Sequence, residues 1–240
     1  MKFASPLIKA TLIKRYKRFL ADVKLENGDE ITAHCANPGA MLGLKEPGST
    51  VWLSPASNPK RKLKYSWELI ETNDYDKKAL VGINTSLPNK LAEEAILNGT
   101  IKELQGYSNL RREVKYGQNS RIDILLENEA KTEQIKSCYV EVKNVHLLRQ
   151  ENKAEFPDSV TSRGAKHLNE LSDMVNEGHR AVMFYLIQRE DCKTFSLAKD
   201  IDSKYHEAFL KAKEAGVEAI AYKCNLTTEE IKVTEKVEIL

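Results

Sequence analysis

Residues 120–126, SRIDILL, and residues 138–145, CYVEVKNV, are two short apolar runs separated by eleven mostly polar residues, and their reading decides how the second half of the chain folds. Both have the length and residue types of strands. Side chains alternate faces along a strand, so Glu141 and Lys143 point the same way. A buried acid and a buried base are costly unless they pair or bind something. Asp123, in the first run, adds a second carboxylate. Two carboxylates converging at neighbouring strand ends suit a hard divalent cation, Mg2+ or Mn2+, which keeps several waters for a substrate phosphate to replace. A lysine on the same face can stabilise charge developing on a phosphate or orient the attacking water. The competing reading is an internal salt bridge at a strand end, which leaves a surplus negative charge for a cation to balance.

Working outward, residues 84–240 read as a mixed sheet flanked by helices. The segment SLPNKLAEEAILNGTI places Leu87, Leu91, Ala95 and Ile96 at helical spacing, with Ser86 as the expected N-cap and Gly99 as the stop. Three strands follow, including LRREVKY. A helix is expected over about residues 159–177, with Ala165, Leu168, Leu171, Met174 and Val175 along one stripe and Gly178 ending it. RAVMFYLIQ is almost wholly apolar, as at the centre of a sheet. A last helix, SKYHEAFLKAKEAG, and a strand, VEAIAYKCNL, complete the order.

Residues 1–82 have a different texture. Six short runs rich in β-branched and aromatic residues alternate with the turn signals ENGD, NPGA, EPGS and SNPK. DVKLENGDEIT is a hairpin with Asn27-Gly28 at its turn. So many strands in so short a span, with no convincing helix, predict a small oligonucleotide-binding (OB) barrel. The expected class is therefore α+β, with an OB-like β-barrel over 1–82 and a mixed-sheet α/β domain over 83–240.

Composition bounds the rest. Hydrophobic residues make up 41% and charged residues 30% of 240, with 37 basic and 35 acidic groups, so net charge does not announce a nucleic-acid binder. No window reaches the apolar length of a membrane span, and lysines and arginines interrupt the N-terminal apolar positions. The four cysteines, Cys35, Cys138, Cys192 and Cys224, form no CxxC pair and read as reduced thiols. A cytoplasmic location is expected, and a homo-oligomer is compatible with the chain.

The run SRIDILL…YVEVKNVHLL…FPDSVTSRGAKHLNEL resembles the sugar fermentation stimulation protein family, as does HCANPGAMLGL…PGSTVWLSPASNPKRKLKYSWELIE in the first half. That resemblance covers nearly the whole chain. It implies an OB-type domain joined to a PD-(D/E)xK endonuclease-like domain in a DNA-binding protein linked to regulation of sugar, notably maltose, metabolism. Asp123 then matches the metal-binding Asp, Glu141 the second acid and Lys143 the catalytic lysine. Ile122 stands where such motifs often carry proline. Many such nucleases add an acid from the first helix, for which Glu93 and Glu94 compete and Glu94 is preferred as a metal ligand. The same fold also serves as a binding scaffold without catalysis.

Several basic groups can meet DNA without sequence preference. NPKRKLKYSWEL packs Lys60, Arg61, Lys62 and Lys64 around Tyr65 and Trp67, uniting phosphate contacts with aromatic platforms for unpaired bases. On the long helix, Arg163, Lys166 and His167 are expected with Glu170 on the side away from the apolar stripe. Arg121 stands two residues before Asp123. A solvated turn, core-facing aromatics and a surface histidine are the plainer alternatives for these groups. HCANPGAM reads as a turn shaped by Pro38 and Gly39.

Overall fold

Alternation of apolar and polar residues builds the first half strand by strand. The computed structural model describes residues 1–117, 120–128 and 136–240. β1 (Ile8–Tyr16), β2 (Leu20–Leu25) and β3 (Glu30–Cys35) form an antiparallel meander, and β4 (Thr50–Pro55) pairs with the other edge of β1. β5 (Tyr65–Asp74) follows β4, and β6 (Lys77–Gly82) pairs with β5. β3 then meets β5 in parallel through His34–Ser66 and Cys35–Trp67, which closes β3-β2-β1-β4-β5 into a barrel. Gly28 takes φ +93° at the β2–β3 turn, as the Asn-Gly pair requires. Leu12, Val23, Val51, Leu53 and Trp67 fill the barrel, which is the expected OB-type domain.

The second half is a three-layer α/β arrangement. Its elements are α1 (Pro88–Leu97), β7 (Asn109–Tyr116), β8 (Ser120–Glu127), β9 (Cys138–Val145), β10 (Leu147–Gln150), β11 (Lys153–Phe156), α2 (Ser162–Asn176), β12 (Arg180–Ile187), β13 (Thr194–Leu197), α3 (Ser203–Glu214), β14 (Glu218–Leu226), β15 (Ile231–Lys236) and β16 (Glu238–Ile239). The main sheet runs β15-β14-β12-β9-β8-β7, with β9, β12 and β14 parallel and antiparallel strands outside them. RAVMFYLI is buried on both faces at its centre. Leu91, Ala92, Ala95 and Ile96 of α1 pack on one face, and Leu168, Leu171 and Met174 of α2 pack on the other.

Local expectations were adjusted by the structure in four ways. α1 starts one residue later than expected: Leu87 is its N-cap and Pro88 opens the first turn, while Ser86 gives its amide and hydroxyl protons to Asn84 Oδ1. α2 starts at Ser162, not 159, because Thr161 caps it by accepting from the Gly164 amide. His167 and Glu170, expected on the outer side of α2, are buried. A small sheet, β10-β11-β13-β16, and the edge strand β15 had not been anticipated.

The halves interlock through polar contacts. Gly82 donates its amide to Gln188 O, and Thr85 donates to Ala36 O. Arg189, only 1% exposed, donates to Asp74 of the barrel, to Asp191 and to His146 O. The Met41 amide donates to Asp158 Oδ2.

Candidate active site

The β8–β9 register creates the site. The ladder ends at Ile124–Val140, and the next residue of each strand, Asp123 and Glu141, stands where the pair opens, with the Val142 amide turned to the Asp123 carboxylate. Two like charges in that relation repel. Both approach a cleft of about 490 Å³ that also receives Lys143, Arg163 and His167, together with Arg18 and the Asn37–Gly39 turn from the barrel.

The Asp123 carboxylate is fixed at both oxygens. Asn89, in the first turn of α1, donates to Oδ1 at 2.8 Å, and the Val142 amide donates to Oδ2 at 2.8 Å. Burial, and then the negative charge of Glu141, push its pKa up to about 6. Glu141 is 2% exposed. Burial alone would raise its pKa, but the charge of Lys143 and the hydrogen bond from His167 outweigh burial and hold it below its ordinary value. Lys143 Nζ lies 2.6 Å from Glu141 Oε1, which also takes a hydrogen bond from His167 Nδ1. Arg163 Nε donates to His167 Nε2, which leaves the ring proton on Nδ1, facing Glu141.

Glu141 Oε2 is buried and has no hydrogen-bond partner among the described residues. The Tyr116 hydroxyl lacks one too, and burial together with Glu141, Glu170 and Asp123 pushes its pKa up. An unmatched carboxylate oxygen beside a second buried carboxylate suits a hard cation held by Asp123 and Glu141 with water completing its shell. Among the described residues no cluster of three or more His, Cys, Asp or Glu side chains has the arrangement of a metal centre, so two carboxylates are what the chain itself offers.

The expected helix acid is not part of this arrangement. Glu94 pairs with the N-terminal ammonium at 2.8 Å and Glu93 with Arg112. Asn89 takes the position facing Asp123, and it also donates to Glu113, which occupies a left-handed kink in β7 at φ +55°. An amide in the first helical turn carries no local signal of this role. The basic candidates divide. Arg163 reaches the rim of the cleft. Lys166 lies on α2 by Ser120 and Glu170, and exposed Arg121 donates to Glu113 O. Lys60, Lys62 and Lys64 are exposed and Arg61 half-buried on the loop before β5. Trp67 is not available for stacking: it is 0% exposed, and its indole N–H donates to Leu69 O inside the barrel.

A second polar cluster borders the trio and had no assigned chemistry in the sequence. His146 Nε2 lies 3.3 Å from Asp158 Oδ2, and Asn144 lies 2.9 Å from His146 Nδ1. Burial would raise the Asp158 pKa, but the hydrogen bond and charge of His146 and the Met41 amide hold it down at about 2. Asp158 thereby fixes the Asn37–Gly39 turn at the cleft wall. Arg15 holds the other side of that turn, donating to Asn37 O and Gly39 O.

Comparison with known proteins accords with this architecture. Residues 13–83 match the SfsA N-terminal OB domain, and residues 86–230 match the sugar fermentation stimulation protein RE domain. A sugar fermentation stimulation protein homolog of Paramagnetospirillum magneticum is 58% identical over 231 residues, covering 96% of this chain and 94% of that protein. One from Roseobacter denitrificans is 51% identical over 240 residues, covering 100% of this chain and 99% of its own. The structure of Pyrococcus furiosus SfsA in complex with Ca2+ is similar at a TM-score of 0.86 and 27% identity, covering 100% of this chain and 98% of that one. From its barrel to its last strands, the chain belongs to the sugar fermentation stimulation protein family.

Proposed function

We propose that this protein binds DNA without sequence preference and hydrolyses phosphodiester bonds with the help of Mg2+ or Mn2+. The observation that carries this reading is the orphan Oε2 of buried Glu141 beside Asp123, with Lys143 on the other Glu141 oxygen. The Pyrococcus furiosus relative was solved with Ca2+, another divalent cation that prefers oxygen ligands, which supports the choice of ion class. A bound Mg2+ or Mn2+ supplies charge neutralisation at the phosphate and acidifies a coordinated water.

The chain's own groups do the positioning. Asp123, held by Asn89 and Val142, and Glu141, held by His167, keep fixed orientations. Lys143 keeps its ammonium at the cleft, where it stabilises negative charge on a phosphate oxygen. Arg18 and Arg163 on the rim hold flanking phosphates, and Lys60, Arg61, Lys62 and Lys64 add affinity that depends on salt rather than sequence. A connection to regulation of sugar metabolism rests on the family's name.

The test is incubation of purified protein with plasmid and with single-stranded DNA, with Mg2+, Mn2+ or chelator. Asp123→Ala and Lys143→Ala run alongside, and a gel shift reports binding. Metal-dependent cutting, lost in both variants while the shift remains, is the expected result. One observation favours a second reading, a regulatory DNA-binding protein that cuts nothing: Asn89 stands at Asp123 where an acid from the first helix would add a third ligand. Binding without cutting in every metal would establish that reading.

A further inference from the structure

Trp67 is sealed in the barrel, yet the barrel does present an aromatic face beside the cleft. It lies at the β1–β2 turn, residues 17–19, whose middle residue, Arg18, lines the same cleft as Asp123, Glu141 and Lys143. Phe19 is 45% exposed. Its ring stacks against His34, with centroids 6.4 Å apart and planes inclined by 20°. The Phe19 carbonyl accepts the Cys35 amide, and Leu20 pairs with His34 across β2 and β3, so the backbone beneath both rings is fixed.

The charges around this pair are arranged for a polyanion. Lys17 and Arg18 precede Phe19, and Arg15 donates to Arg18 O as well as to the cleft turn. Burial, and then the charge of Arg61 from the basic loop before β5, lowers the His34 pKa against the opposing charge of buried Glu68. The His34–Ser66 pairing sets the start of β5, and the basic loop that leads into it, beside the stacked rings, while Arg18, next to Phe19, lines the cleft of Asp123, Glu141 and Lys143. Lys17 and Arg18 both adopt left-handed backbone, at φ 46° and 61°, where asparagine and glycine are comfortable. Two long cations in those positions are an unfavourable local choice that a phosphate-binding turn accounts for.

We propose that Phe19, backed by His34, is a stacking platform for an unpaired nucleobase, and that the substrate is single-stranded nucleic acid running from the basic loop of the barrel across Arg18 to the Asp123–Glu141–Lys143 site. This rests on the phosphodiesterase reading for its destination but on separate residues for its argument. A base inside a duplex keeps its faces against its neighbours, so only an unpaired base can lie on this ring. Phosphate contacts from Arg18 and Arg61 serve either form of nucleic acid.

The experiment measures fluorescence anisotropy of a labelled single-stranded oligonucleotide and of the matching blunt duplex, with full-length protein in chelator so that nothing is cut. Phe19→Ala is expected to weaken single-strand binding by about tenfold or more, the loss typical of one stacked base. Phe19→Trp restores it, and duplex affinity changes by less than about twofold. Arg18→Ala weakens both forms and lowers the salt dependence by about one ion. Phe19 is a surface side chain, and His34→Leu gives a second variant that removes the backing ring. Unchanged single-strand affinity in Phe19→Ala, or an equal loss on duplex, overturns the platform. If cleavage is observed while Phe19→Ala binds normally, the platform falls and the phosphodiesterase reading stands. If the platform results hold and no metal supports cutting, the nuclease reading falls alone.

Discussion

The backbone of Gly39 lies directly against the carboxylate of Asp158, so that a Cβ at Gly39 would sit 2.5 Å from Oδ2. The carboxylate cannot swing aside freely, since His146, the Met41 amide and Ser159 all hold it. Gly39→Ala is therefore expected to destabilise the protein by about 1–3 kcal/mol through overcrowding, as read by urea unfolding. A urea transition indistinguishable from wild type would show that the contact yields easily.

Asp158 also predicts an acid dependence. Its folded pKa is depressed from 3.8 to about 2, so its contribution is complete above about pH 4 and lost as pH falls through 2. The amount is on the order of 2 kcal/mol. Asp158→Asn should flatten that part of the stability–pH curve, and an unchanged acid limb would disprove the assignment.

Asp123 acts in the opposite direction. Its folded pKa is raised from 3.8 to about 6, which favours the fold at low pH and weakens it as pH climbs through 6. Metal-free protein should thus gain stability at pH 7 from Asp123→Asn, on the order of 1 kcal/mol after allowing for a lost hydrogen-bond acceptor. Added Mg2+ or Mn2+ should raise the melting temperature of wild type and not of this variant. Calorimetric scans with and without chelator make the comparison.

His167 touches Glu141 and Lys143 from α2. His167→Gln is expected to lower metal-dependent cleavage by about 10- to 100-fold while leaving nucleic-acid binding in chelator unchanged, the behaviour of a residue that orients a ligand. Loss of binding in step with cleavage would place it among the phosphate contacts instead.

The β1–β2 turn gives a stability test. Replacing Lys17 by Asn and Arg18 by Gly puts residues suited to left-handed backbone where φ is 46° and 61°. The double variant should unfold at higher denaturant, by roughly 1 kcal/mol, because the unfavourable backbone is relieved.

Much of this was legible in the sequence. The six strands of the first half announced themselves by alternation and by turn residues, and the Glu141–Lys143 face followed from the two-residue strand period. What escaped was set by distant pairing. β10, β11 and β13 are four residues each and gain their partners across the fold, so no local pattern marks them. His167 looked solvent-facing because a helical stripe counts only apolar residues. Its burial depends on the polar side chains that β9 turns toward α2. Trp67 could have faced either side of its strand, and closure of the barrel decided it. Asn89 and Asp158 act through single long-range hydrogen bonds, and spacing along a chain says nothing about those.

Arg189 ties the halves in a way that bears on how such a chain can change over generations. Its guanidinium is sealed between Asp74, which the barrel contributes, and Asp191 and the His146 carbonyl, which the sheet domain contributes. Exchange of the barrel for another of the same shape would strand a buried cation without part of its counter-charge, a loss far larger than a surface ion pair would bring. A gene fusion or domain swap at residues 82–83 thus meets an energetic barrier at a position distant from the cut. A substitution at Asp74 leaves Arg189 with only the contacts of its own half, Asp191 and the His146 carbonyl, so each half carries part of the other's charge balance.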